Sequence, residues 1–151
     1  MPCGTRGDPG APVRIVLDTT VVVSALLWHG APYRLPEAAR QSEQVKLFTS
    51  TALLEELAEV LLRPVAAKRL GTVGRSAREL LADYVDAVDL VTPLAVPRLV
   101  ASDPDDDHVV AAAIASEAAL IVSGDRHPLT LGTHRGIRIV TPAEAIGIIA
   151  R

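Results

Sequence analysis

The chain has 151 residues, of which 49% are hydrophobic, with one cysteine and a formal net charge of -3. This length predicts a single domain that buries its own core, and the lone Cys3 excludes an internal disulfide or a thiolate metal site. The sequence contains neither an apolar run of membrane-spanning length nor a signal peptide, so we expect a cytoplasmic protein with no membrane partner. The acidic balance argues against coating long nucleic acid but not against a nuclease, because metal-binding carboxylates also make a chain acidic.

The apolar pattern alternates short strands with helices. Residues 1–12 are rich in glycine and proline and predict a flexible arm, and residues 13–151 predict one domain. Apolar runs predict five strands, at residues 13–17, 45–49, 90–92, 119–123 and 137–140. Helical spacing and capping signals predict helices at about residues 21–27, 32–40, 51–63, 65–70, 77–88, 107–117 and from 142 onward, with a kink or late start at Pro36.

This alternation predicts an α/β fold: a three-layer α/β/α sandwich around a central, mostly parallel sheet of about five strands. In such a sheet the carboxyl ends of the strands and the amino ends of the following helices meet at one edge, where ligands bind. The acids that fall at these positions are Asp18, Glu55 or Glu56, Asp107 and Asp125. We therefore expect them to converge.

The stretch from Ser102 to Ala113 joins an acidic, proline-containing loop to an alanine-rich helix. Asp106 or Asp107 is a suitable N-cap, but four carboxylates within residues 103–107 exceed what a cap requires. A solvated loop remains an alternative interpretation. An EF-hand is excluded, because His108 stands where that loop needs glycine and Ile114 stands where it needs glutamate.

Carboxylates that converge at one edge repel one another unless a cation lies between them. A site made only of oxygen ligands favours Mg²⁺ or Mn²⁺, and such an ion activates water and neutralises charge on a phosphate. Hydrolysis of a phosphodiester is the chemistry that this arrangement favours.

Residues 16–27, 50–57, 103–113 and 121–125 resemble, in the same order, the motifs of PIN-domain proteins. Residues 136–144 resemble the branch that contains toxins of toxin–antitoxin systems. The resemblance implies a PIN-like fold over residues 13–151 and a Mg²⁺- or Mn²⁺-dependent endoribonuclease that acts on RNA, pairs with an antitoxin protein and forms a homodimer. It also implies catalytic and metal-binding roles for a quartet of acids, which are Asp18, Glu56, Asp107 and Asp125.

The same resemblance decides between neighbouring residues. Glu56 is preferred to Glu55 because it directly precedes the helix leucine Leu57, and Ser123 matches a hydroxyl position that assists the site. Thr20 departs from the family, which usually has asparagine there, and a hydroxyl cannot supply the paired donor and acceptor of an amide.

Other interpretations stay open at this point. Together with the acidic net charge, Thr20 motivates a second hypothesis: a catalytically silent PIN-like module that acts through protein contacts. Taken alone, Asp18 is equally typical of a helix cap, and Glu56 of the solvated face of a helix. Arg126 and His127 are candidates for contacting substrate phosphate, although a loop histidine is more often solvent-facing. Lys68, Arg69, Arg75 and Arg78 form a second group of basic residues, which is equally consistent with an RNA-binding patch and with an ordinary surface.

Overall fold

The structure is a computed structural model that describes residues 11–28, 30–93, 104–124, 133, 134 and 136–150, with only the backbone at residues 31, 104–107, 133 and 134. The predicted flexible arm therefore falls almost wholly outside the described residues. Five parallel strands and one two-residue antiparallel strand form a single sheet in the order β3-β2-β1-β4-β6-β5. The strands are β1 (Val13–Leu17), β2 (Val45–Thr49), β3 (Val88–Leu90), β4 (Leu120–Val122), β5 (Thr133–His134) and β6 (Ile137–Val140).

Within the described residues, seven α-helices cover the sheet, together with a short 3₁₀ turn at Ala31–Tyr33. None of the helices in the described ranges is long and apolar enough to cross a membrane. The helices are α1 (Thr19–Leu27), α2 (Arg34–Gln41), α3 (Thr51–Leu61), α4 (Pro64–Val73), α5 (Ala77–Ala87), α6 (Pro104–Ser116) and α7 (Pro142–Ile149).

The central strand β1 is buried on both faces, as its continuous apolar run predicts. Ile15 and Leu17 face a core that includes side chains of α1, α2, α3 and α5. Val16 faces the opposite core, where it packs with Val109 and Val110 of α6. Helices thus lie on both faces, which confirms the predicted three-layer α/β/α sandwich with a mostly parallel sheet.

Helix α6 is oriented so that its first turn lies at the carboxyl edge of the sheet. Its last turn lies near the start of β1, where the Arg14 Nε donates a hydrogen bond of 2.6 Å to the Ser116 carbonyl oxygen. Because Ala112 and Ala113 are fully buried and small, the helix packs closely on the sheet. The helix crosses the sheet from its carboxyl edge to its amino edge before the chain turns into β4.

The structure corrects several predicted boundaries. Helix α6 begins at Pro104, so residues 105–107 lie within its first turn and not in a preceding loop; proline is favoured at the first helical position. Helix α2 begins at Arg34, so Pro36 is in the first turn, where no intrahelical donor is lost. Helix α4 ends at Val73 and not at residue 70, and Gly74 caps it with a φ of 80°. The third strand lies at 88–90 and not at 90–92, and the short β5 was not predicted.

The predicted capping box of α5 gives a test by pH. The Ser76 N–H donates to Glu79 Oε1 at 2.8 Å and the Ser76 hydroxyl accepts from the Glu79 N–H at 3.1 Å. These contacts with Ser76 hold the pKa of Glu79 below its ordinary value of 4.5, so the carboxylate stabilises the fold above that pH and the contribution is lost as pH falls through the lower, folded value. We predict that Glu79→Gln lowers Tm at pH 7 and that the difference from the wild type shrinks below about pH 4. Thermal unfolding followed by circular dichroism from pH 7 to pH 3 measures it, and a pH-independent difference would contradict the prediction.

Candidate active site

Asp18 directly follows the central strand and caps the helix after it. Its Oδ1 accepts a hydrogen bond of 3.0 Å from the Val21 N–H, and its side chain is only 7% exposed. The helix cap that the sequence suggested therefore exists, and it fixes one carboxylate oxygen at the amino end of α1. A cap requires one acceptor oxygen. The second oxygen of Asp18 is used differently.

Two hydroxyl groups also donate hydrogen bonds to this carboxylate. The buried Ser123 donates from Oγ to Asp18 Oδ2 at 2.6 Å, and Thr20 donates from Oγ1 to Oδ1 at 2.9 Å. The sheet register explains the first contact, because Leu17 of β1 pairs with Val122 of β4 and the next residue of each strand lies at the same level. Thr20 thus supplies the donor, but not the additional acceptor, of the asparagine expected there.

The electrostatics of Asp18 suit a cation. A carboxylate has about four lone-pair positions, and the three donors leave one open on Oδ2. No lysine or arginine among the described residues forms an ion pair with Asp18; the described ion pairs are Arg40–Glu37, Arg63–Glu59 and Arg75–Asp83. A nearly buried carboxylate held only by neutral donors is an appropriate first ligand for a divalent ion.

Glu56 is linked to the same corner of the molecule by a residue that the sequence did not single out. The Thr19 hydroxyl donates a hydrogen bond to Glu56 Oε1, which ties this acid of α3 to the residue next to Asp18. Glu55 is exposed to solvent, so the structure distinguishes the two neighbouring glutamates. No sequence signal pairs Thr19 with Glu56, because they are 37 residues apart and a threonine at the start of a helix has many ordinary uses.

The other two predicted acids are described in part or not at all. Asp107 lies in the first turn of α6, at the same sheet edge as Asp18, but its side chain is outside the described atoms, and Asp125 is outside the described residues, as are Arg126 and His127. Among the side chains that are described, no three His, Cys, Asp or Glu residues group closely enough to hold a metal ion. The metal-binding role of the quartet therefore stays a prediction.

Two of the four basic residues at positions 68–78 make contacts within the fold. Arg69 donates from Nε to the Leu27 carbonyl oxygen at 2.8 Å, at the carboxyl end of α1, and its guanidinium stacks 5.1 Å from the Trp28 ring centroid. Arg75 forms a 2.7 Å ion pair with Asp83. These two side chains therefore serve the fold, which favours the ordinary-surface interpretation for them.

Removal of the Ser123 hydroxyl tests how strongly the carboxylate depends on its donors. We predict that Ser123→Ala lowers the free energy of unfolding by about 1–3 kcal/mol, because a nearly buried charged acceptor loses a donor. Ser116→Ala is the matched control: this serine is equally buried, but its hydroxyl donates to the neutral Ala113 carbonyl oxygen at a longer 3.3 Å. Urea unfolding of both variants measures the difference, and equal losses would contradict a special role for Ser123.

Thr19 is predicted to position Glu56 for metal binding. Thr19→Val removes the donor while keeping the shape, and we expect Mn²⁺ affinity to fall about tenfold, as for other residues that orient a ligand. Thr19→Ser keeps the hydroxyl and should restore most of the affinity. Calorimetric titration with Mn²⁺, beside urea unfolding of the metal-free variants, separates positioning from a general loss of stability. Equal Mn²⁺ affinity of the valine and serine variants would refute the prediction.

Comparisons with solved structures agree with this fold. The structure of PAE2754 from Pyrobaculum aerophilum superposes with a TM-score of 0.62 at 14% identity, covering 93% of this chain and 99% of that one. A chain of VapBC2 from Rickettsia felis, solved bound to a DNA fragment from their promoter, gives a TM-score of 0.58 at 14% identity, covering 84% of this chain and 97% of that one. No curated protein sequence matches significantly.

A comparison with family models gives a more direct result. The PIN domain model matches residues 14–127, well over half of the chain, and includes the positions of all four predicted acids. PIN domains are generally nucleases and typically use a divalent metal ion. The match runs from β1 past the end of β4, which are the segments joined at Asp18. The chain belongs to the PIN domain family.

Proposed function

We propose that this protein is a Mg²⁺- or Mn²⁺-dependent endoribonuclease that hydrolyses RNA phosphodiester bonds in the cytoplasm, as the toxin of a toxin–antitoxin pair. The observation that carries the proposal is the Asp18 carboxylate: it is nearly buried, held by three neutral donors, and without a cationic partner among the described residues. Such a carboxylate requires a compensating positive charge if further acids converge on it.

In this proposal one group of residues binds the ion and a second group orients the residues that bind it. Asp18, Glu56, Asp107 and Asp125 would hold the ion at the carboxyl edge of the sheet. Thr19, Thr20 and Ser123 orient two of these carboxylates through the hydrogen bonds described above. The ion, when bound, supplies an activated water and neutralises charge on the scissile phosphate.

Residues that follow β4 would bind the RNA backbone. Arg126 and His127 follow Asp125 and are proposed to contact the RNA backbone, where a guanidinium pairs well with phosphate.

The partner part of the proposal rests on fold similarity to a chain of the VapBC2 complex. We propose an antitoxin protein as the partner and a homodimer as the assembly. Leu62 and Val65, at the junction of α3 and α4, are 78% and 80% exposed, and surface apolar side chains of this kind are suited to protein contact. Size-exclusion chromatography with light scattering tests the assembly, and a monomer at all concentrations would contradict the homodimer.

Three variants test catalysis. We predict that Glu56→Gln lowers RNA cleavage about 100-fold or more, while Glu55→Gln, one residue away and exposed, leaves it unchanged. Asp18→Asn should lose activity equally and still fold, because asparagine also caps a helix and its amide oxygen still accepts from Val21. Cleavage of an unpaired RNA in Mn²⁺ measures these effects, and full activity in Asp18→Asn or Glu56→Gln would overturn the proposal.

The same assay distinguishes between acids of α6. Asp107→Asn is predicted to abolish cleavage, whereas Asp105→Asn, in the same turn, should retain most of it. Asp106→Asn is the informative third variant, because residues 106 and 107 are both placed three or four residues before Val110. Loss of activity in Asp106→Asn alone would move the proposed ligand by one residue and leave the reaction unchanged.

Metal binding can be tested without activity. At a hundredfold excess over its Kd, Mn²⁺ should raise the wild-type Tm by roughly 5–10 °C, because a ligand that binds only the folded state stabilises it. Asp18→Asn should show a much smaller rise. No rise in the wild type, together with no cleavage, would favour the alternative of a catalytically silent PIN-like module that acts through protein contacts.

A further inference from the structure

A cleft of about 360 Å³ opens beside Asp18, between α1 and the start of α7. Its described lining consists of the residues Thr20, Val21, Ser24, Pro32, Gly124 and Pro142. Two of these connect it to the proposed active site: Thr20 donates a hydrogen bond to Asp18, and Gly124 follows the serine that donates the other. The cleft therefore adjoins the Asp18 corner, where the proposed function would place the scissile phosphate.

The described lining of this cleft is uncharged, in contrast to that of a larger cleft elsewhere on the described surface. A larger cleft of about 590 Å³, between α2 and α5, is lined by Glu37, Arg40, Arg75 and Asp83 among others, and these side chains form ion pairs. The cleft beside Asp18 has no charged side chain in its described lining. A phosphate placed against these described walls would meet no cation and would lie near the Asp18 carboxylate, so the described walls do not favour the RNA backbone.

A neutral, flat group with a polar edge fits this lining. Pro32 and Pro142 supply apolar surface, and the hydroxyl groups of Thr20 and Ser24 can donate or accept hydrogen bonds. The Ser24 hydroxyl forms no hydrogen bond with other described residues, so it is available to a ligand. At Gly124 a Cβ atom would meet nothing within 4 Å, so this wall is open.

We propose that this cleft is a base-binding subsite that receives one unpaired nucleobase adjacent to the scissile phosphate, with Ser24 contacting the edge of the base. The inference rests on the proposed ribonuclease function and names its substrate more closely: single-stranded RNA, because a paired base is not free to enter. A base in the cleft also fixes the position of the neighbouring phosphate relative to Asp18.

The experiment is a thermodynamic cycle in which one change is made in the cleft and the other in the RNA. A short, unpaired oligoribonucleotide with a mapped cleavage site is compared with two forms that lack the base on the 5′ or the 3′ side of that site. The proteins are the wild type, Ser24→Leu, which fills the cleft, and Thr72→Leu, which adds similar volume at an exposed position of α4. Gly124→Ala narrows another wall without strain and provides a second variant in case Ser24→Leu unfolds.

Base removal on one side should reduce kcat/KM about tenfold in the wild type and in Thr72→Leu, as for loss of a stacked base. Ser24→Leu should lose about the same factor on intact RNA and lose nothing more when that base is removed. Gly124→Ala should show the same pattern at smaller amplitude. Additive losses, or wild-type activity of Ser24→Leu and Gly124→Ala on intact RNA, would overturn the subsite.

Binding measured by fluorescence anisotropy in Ca²⁺ repeats the cycle independently of cleavage. If Asp18→Asn cleaves like the wild type while the binding cycle still couples Ser24 to one base, the proposed catalytic site is wrong and the subsite stands. If Asp18→Asn is inactive but the losses from Ser24→Leu and base removal add independently, the catalytic site stands and the subsite is wrong.

Discussion

The structure depends on the way in which one carboxylate joins three segments of the chain. Asp18 directly follows β1, caps α1 and accepts a hydrogen bond from Ser123, which directly follows β4. Its backbone N–H also donates to the Val122 carbonyl oxygen at 3.0 Å. The strands thus continue their pairing up to the residue where the proposed chemistry begins. A site built at the end of a rigid sheet keeps its ligands in place better than one built on loops.

Much of this arrangement follows from the sequence because its causes are local. The continuous apolar run of β1 predicts burial on both faces, and the residue after such a strand must lie at the carboxyl edge. The start of α6 was predicted three residues late for a physical reason: the acids of residues 105–107 satisfy the amino end of a helix equally well as caps or as first-turn residues. The Thr19–Glu56 contact was beyond prediction, since it depends on how α1 and α3 pack across the sheet edge.

The replacement of asparagine by Thr20 alters the hydrogen bonding of Asp18 in a specific way. The hydroxyl donates to Oδ1, which already accepts from Val21, so this oxygen is saturated and Oδ2 alone remains open to an ion. The exposed position of Thr20 also places its side chain on the wall of the neighbouring cleft. The substitution therefore preserves the donor that holds the carboxylate while removing an amide from the surface that the substrate would meet. Because Thr20 still donates to Asp18, this geometry keeps the carboxylate oriented.

Helix geometry limits which acid of α6 can join the proposed site. Successive residues turn by about 100°, so a residue shares its face with those three and four positions later. Position 106 precedes the buried Val109 and Val110 by three and four, whereas position 107 precedes Val110 and Ala111 by the same spacings. All three later residues are buried, so both positions begin faces that pack inward. Position 105 precedes the half-buried His108 by three and the buried Val109 by four, so its face is the least buried of the three and it is the weakest candidate. Because α6 begins at Pro104, Asp106 and Asp107 both lie inside the helix. The direction in which each position faces, and not its place before the helix, therefore decides between them.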